Sequence, residues 1–103
     1  MTRDEILAMN PGETLNNVLM SYMGYSGPFS TYIPATLQVI TKITHTIRIQ
    51  GEKPTVVISC YPDGSYRVAI GRMTQDPDGI YGHGKTFPEA VCKAYLLAVM
   101  EVE

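Results

Sequence analysis

The chain contains no tryptophan, only two cysteines and only two histidines in 103 residues. Each scarcity removes a class of protein. Cys60 and Cys92 both sit in apolar patterns, which suits buried thiols in a reducing compartment and not a disulfide framework. His45 and His83 have no carboxylate or cysteine three or four residues away, so the spacing offers no zinc motif and no metal is expected. Charged residues make up 17% of the chain and the net charge is −2 at pH 7. A basic surplus is missing, which argues against nucleic acid as a partner. No apolar run approaches the ~20 residues that cross a bilayer, so no membrane partner is expected. The opening MTRDEILAM carries acids where a signal peptide needs basic residues. Walker loops, a GxGxxG after a strand and a nucleophile-elbow serine are all missing. Cys60 has no histidine near it in sequence to activate it. Nothing assembles an enzyme, and no cofactor is expected.

What is present is apolar: 45% of residues, enough at this length for one domain with its own core. The chain is organised around Thr86 to Val102, TFPEAVCKAYLLAVMEV. Thr86 and Glu89 are spaced as a capping box, with Pro88 in the first turn where its missing N–H costs nothing. From Ala90 to Met100 only Lys93 is charged. Val91, Ala94, Tyr95 and Ala98 make one apolar stripe, while Ala90, Leu97 and Met100 lie off it. Such a helix wants cover on two sides: a sheet on one, and a second helix or a second copy of the chain on the other.

Earlier segments follow local rules. Thr2 and Glu5 form a capping box before a short helical turn or two. Asn10 as cap and Pro11 at the first helical position predict a helix over 11–23, ended by Gly24. Gly27-Pro28 breaks the chain, and Ser30 or Thr31 is expected to cap the next helix. Ile33, Leu37, Ile40 and Ile43 carry that helix to at least Ile43. Over Thr44 to Gln50 helix and strand compete, and the β-branched alternation favours strand. Thr55 to Tyr61 and Tyr66 to Gly71 read as strands joined by the Pro62-Asp63-Gly64-Ser65 turn. Met73 to Gly79 reads as a polar loop, and Ile80 to His83 as a short edge strand. The fold class expected is α+β: an α/β/α sandwich of two helices, a three- or four-stranded antiparallel sheet and a C-terminal helix.

One constellation suggests a binding site. Tyr25, Phe29 and Tyr32 flank the Gly-Pro loop; Arg67 and Arg72 sit on or beside the hairpin; Lys85 starts the last helix. His83 lies between two glycines, which lets a ligand approach the backbone or serves a tight bend. Aromatic planes, arginine forks and helix-start amides suit a phosphorylated nucleotide. The plainer reading is that loop tyrosines cover the sheet edge and surface arginines keep the protein in solution. His45 reads as an ordinary residue at a helix-to-strand junction.

Three resemblances carry further expectations. GHGKTFPEAVCKAYLLAV resembles the start of the last helix of double-stranded-RNA-binding domains, although Phe87, Pro88 and Val91 occupy positions of the basic cluster. The same stretch resembles the closing helix of HicB-like antitoxin domains in shape. More of the chain, TRDEILAMNPGETLNNVLMSYMGY, PFSTYIPATLQVITKI and KTFPEAVCKAYLLAVME, is similar to the phage ABA-sandwich domain family. That resemblance implies a small phage or prophage protein in the bacterial cytoplasm, with no catalytic residue to carry over. On it rests the expected function: a non-enzymatic anti-defence sponge for a cyclic dinucleotide or cyclic ADP-ribose messenger. A homo-oligomer, dimer or larger, would form through the C-terminal helix, with Tyr25, Phe29, Tyr32, Arg67, Arg72, His83 and Lys85 as ligand-binding residues. The alternative is a phage inhibitor that binds a host protein directly, or an accessory protein with no small ligand.

Overall fold

The computed structural model of the chain describes residues 2–48, 51–71 and 80–102, with side chains to residue 99. Its elements are α1 (Arg3–Ala8), α2 (Glu13–Met23), α3 (Ile33–Thr46), β1 (Thr55–Cys60), β2 (Tyr66–Gly71), β3 (Ile80–Gly84) and α4 (Phe87–Val102). The three strands form an antiparallel meander in the order β1-β2-β3. The α+β class is as expected, with N-terminal helices, a three-stranded sheet and a closing helix that packs on it.

Local chemistry explains most element ends. Thr2 and Glu5 make the full capping box of α1. Gly24 ends α2 with φ 87°, a left-handed conformation that glycine adopts without cost. Gly64 takes φ 88° in the β1–β2 turn. There the Asp63 carboxylate accepts from the Ser65 amide at 2.9 Å and from its hydroxyl at 2.6 Å.

Three expectations need correction. α2 starts at Glu13 with Gly12 as its cap, so Asn10 and Pro11 lie outside it. Neither Ser30 nor Thr31 caps α3, whose N-cap is Tyr32 without a side-chain bond. The favoured strand over Thr44 to Gln50 does not begin where expected, because α3 continues through Thr46. Its threonines bond back to their own helix: Thr41 Oγ1 to the Leu37 carbonyl at 3.1 Å and Thr46 Oγ1 to that of Lys42 at 2.6 Å. Those bonds satisfy the hydroxyls within the helix, and burial of Ile43 and Ile47 outweighs the low helix propensity of β-branched residues. Residues 49 and 50, and the 73–79 loop, lie outside the described residues.

α4 is the centre of the molecule. Every residue from Ala90 to Ala98 is buried, which covers all sides of a helix. β3 and β2 lie against one side; α3, α1 and α2 cover the rest. Val68 and Ile70 of β2 face it, both fully buried. Gly82 and Gly84 let it approach β3 closely. A Cβ on Gly82 would stand 2.4 Å from the Ala94 nitrogen, and one on Gly84 2.8 Å from that of Ala90. The second cover that the sequence demands is thus supplied by the chain's own helices. Among its described residues α4 has no exposed apolar side, so its composition needs no second copy of the chain.

Candidate functional site

The corner between α2 and α3 is where the aromatic residues gather. Gly24 turns the chain out of α2, and the Pro28 carbonyl accepts from the amides of Thr31 at 3.3 Å and Tyr32 at 3.0 Å. The turn is tied down from within. Buried Ser30 receives the Gly12 amide on its hydroxyl at 2.8 Å, and donates from its own amide to Asn16 Oδ1 at 2.8 Å. Its hydroxyl donates to the same Asn16 oxygen at 2.6 Å. The Phe29 carbonyl accepts from Thr36 Oγ1 at 2.7 Å and Cys92 Sγ at 3.1 Å, joining the turn to α3 and α4.

On this base lies a shallow cavity of about 280 Å³, lined by Tyr25, Pro28, Phe29, Tyr32, Pro34 and Gln38 among others. Tyr25 and Phe29 meet edge to face with centroids 5.5 Å apart. The Tyr25 hydroxyl donates to Gln38 Oε1. Phe29 is fully buried and forms the floor, whereas Tyr25 and Tyr32 are 47% and 57% exposed. A second cavity of about 300 Å³ adjoins the same turn, lined by Pro11, Ser30, Thr31, Ile33, Thr86 and Pro88. Ile33 and Leu37, one helical turn apart on α3, are each more than half exposed.

The basic residues are elsewhere. Arg67 and His83 are directly paired across β2 and β3. Because Gly82 faces α4, its neighbours Tyr81 and His83 point to the opposite side of the sheet, and Arg67 shares that side. The Arg67 guanidinium lies over the Tyr81 ring, 5.2 Å from its centroid. Its Nε is buried and has no hydrogen-bond partner among the described residues. Lys85 is exposed, and its amide donates to Glu89 Oε1 at 3.0 Å. Arg72 lies outside the described residues. The structure therefore gathers Tyr25, Phe29 and Tyr32 into one site, but leaves Arg67 and His83 on the face of the sheet turned away from α4. The Gly-His-Gly segment is a packing device, with no tight bend: its glycines admit α4 and its histidine looks outward.

Two further features belong to the interior of α4. Lys93, buried within α4, donates to Glu89 Oε2 at 2.5 Å and to the Leu7 carbonyl at 2.8 Å. It satisfies a carbonyl in the last turn of α1, where helices leave such groups unpaired. Spacing of four residues along α4 does signal this pair, but only the fold reveals that it is internal. The second is the Cys92 thiol, buried as its apolar pattern predicts and pushed by that burial from its usual 9.0 up to about 12. It is a packing group, not a nucleophile. Cys60, for which burial is also expected, is exposed because it lies on the edge strand β1.

Among the described residues no cluster of histidine, cysteine and carboxylates is placed to hold a metal. No helix there is long and apolar enough to cross a membrane. Neither a family model, a curated protein nor a solved structure matches the chain.

Proposed function

We propose that this is a non-enzymatic binding protein, of the kind the phage-inhibitor reading of the sequence expects, and that it docks another protein through the α2–α3 corner. One observation carries this: Tyr25, Tyr32, Ile33 and Leu37 expose large apolar surface side by side, on a turn held rigid by Ser30 and Asn16. Solvent-facing tyrosines over a pre-formed apolar base are characteristic of protein contacts, where aromatic residues supply the anchors. The test places a photo-crosslinking residue at Leu37 and exposes the cells to light. A discrete crosslinked protein is expected, diminished by Tyr32→Ala and unchanged by Arg67→Ala. No adduct, or one indifferent to Tyr32, would refute the reading.

Messenger capture is the second reading, favoured by the cavity at Tyr25, Tyr32 and Gln38. Two exposed rings and a carboxamide suit a nucleobase. With Arg67 and His83 on the face of the sheet turned away from α4, phosphate recognition would rest on other groups, which weakens the case for a cyclic dinucleotide. Calorimetry against cyclic dinucleotides and cyclic ADP-ribose isomers separates the readings: heat abolished by Tyr25→Ala supports capture.

A further inference from the structure

Arg67 and His83 stand directly opposite each other on the face of the sheet turned away from α4. We infer that this pair, with the Tyr81 ring as its platform, is a binding site for a phosphate group.

Opposed residues on neighbouring antiparallel strands have Cα atoms about 4.5–5.5 Å apart, so their side chains share one patch of the face. His83 is exposed and Arg67 half-buried, which leaves the patch open to a ligand from outside. The Arg67 guanidinium lies over the Tyr81 ring, 5.2 Å from its centroid. A contact of this kind uses the flat face of the guanidinium and leaves the N–H groups in its plane free to donate. It also steadies a long side chain, so less freedom is lost when an anion binds.

Acceptors for those N–H groups are missing. Among the described residues no carboxylate pairs with Arg67 or His83, and the buried Arg67 Nε has no hydrogen-bond partner. A charged donor withdrawn from water without an acceptor is costly, and a bound anion is one remedy. The cause is not a shortage of acids, which number 10 against 8 lysines and arginines. Glu89 is engaged with Lys93, Asp63 with Ser65 and Glu5 with Thr2. This basic pair is left unneutralised on a chain of negative net charge.

The donor set favours phosphate over carboxylate. An arginine fork donates two parallel bonds to two oxygens of either anion. The imidazole, which donates whether neutral or charged, then needs a further oxygen. A phosphate group supplies it, together with up to two negative charges. The site uses no residue of the α2–α3 corner and is independent of both readings above.

The test titrates the isotope-labelled full chain with inorganic phosphate at fixed pH and ionic strength, followed by nuclear magnetic resonance. The His83 imidazole and Arg67 side-chain signals should move together and saturate in the millimolar range, while the His45 ring stays put. Acetate should bind clearly more weakly. Arg67→Gln should weaken phosphate binding about tenfold or more, the loss expected for a charge-assisted bond. Should loss of the contact with Tyr81 unfold that variant, His83→Ala tests the same site from an exposed position. The Arg67 signals should then need several-fold more phosphate to move. No saturable shift at His83 would overturn the proposal. So would an equal response to acetate, His45 shifting in parallel with His83, or phosphate binding indifferent to these substitutions.

Discussion

Gly82 and Ala94 are so closely apposed that a Cβ on the glycine would stand 2.4 Å from the alanine nitrogen. The neighbour is helix backbone, which cannot swing aside as a flexible side chain can. Gly82→Ala must lever α4 off β3, where α4 makes its most extensive contact. Overpacked cores lose about 1–3 kcal/mol, and a backbone obstacle puts this variant at the upper end. Urea denaturation measures it. A loss below about 0.5 kcal/mol, the ordinary range for surface changes, would contradict the close approach.

That apposition also shows where sequence reasoning stops. The capping box at Thr2 and Glu5, the left-handed Gly24 and the hairpin glycine Gly64 were legible because each depends on neighbours within four residues. The apolar girth of α4 was legible too, but its cover was not. A composition that demands two neighbours is silent on whether they come from the same chain. Thr44 to Thr46 looked like strand because side-chain branching favours it; packing of Ile43 and Ile47 into the core decides otherwise. Of the predicted site, the local cluster Tyr25, Phe29 and Tyr32 came together. Arg67 and His83 did not, since which face of a sheet a residue takes depends on where the helix lies.

Lys93 and Glu89 form an internal ion pair, with side chains 3% and 10% exposed. Lys93→Met leaves the Glu89 carboxylate buried without its partner and frees the Leu7 carbonyl. Breaking such a pair from one side costs about 3–5 kcal/mol. Adding Glu89→Gln removes the stranded charge and should restore much of the loss, although Glu89 still serves the Lys85 amide. Thermal or urea unfolding of both variants checks this. Equal stability of the single and double variants would show that the charge is not stranded.

The thiols should differ sharply in reactivity. Cys60 is exposed and Cys92 buried. An aromatic disulfide reagent should label Cys60 promptly in the native protein and Cys92 only on unfolding. The raised value of Cys92 also sets an alkaline limit. Below pH 9.0 the thiol is protonated in both the folded and unfolded chain and contributes no pH dependence. Between 9.0 and about 12 the unfolded chain gives up the proton while the folded one keeps it. Stability then falls as pH rises, by at most about 1.4 kcal/mol per unit. Tyr95, raised by burial and by Tyr22, adds a loss of the same sign. Cys92→Ala should flatten the decline across that window. An unchanged slope would assign it to other groups.

Ser30 ties together the turn that presents Tyr32 and Ile33. Its hydroxyl takes the amide of Gly12, the N-cap of α2, and two of its donors share Asn16 Oδ1. Ser30→Ala orphans the Gly12 amide in a partly buried place and should cost about 1–3 kcal/mol. Asn16→Ala leaves the Ser30 amide and hydroxyl without their acceptor and should cost a similar amount. Because the two residues act through shared bonds, their effects should not add. The double variant should fall short of the sum by about 0.5–3 kcal/mol, the usual coupling of residues in one network. Strict additivity in a double-mutant cycle would mean that the turn is held by its apolar contacts alone. The same cycle bears on docking, since a loosened turn must be ordered again on binding. Ser30→Ala should therefore weaken partner crosslinking at Leu37 even at temperatures where the variant is fully folded.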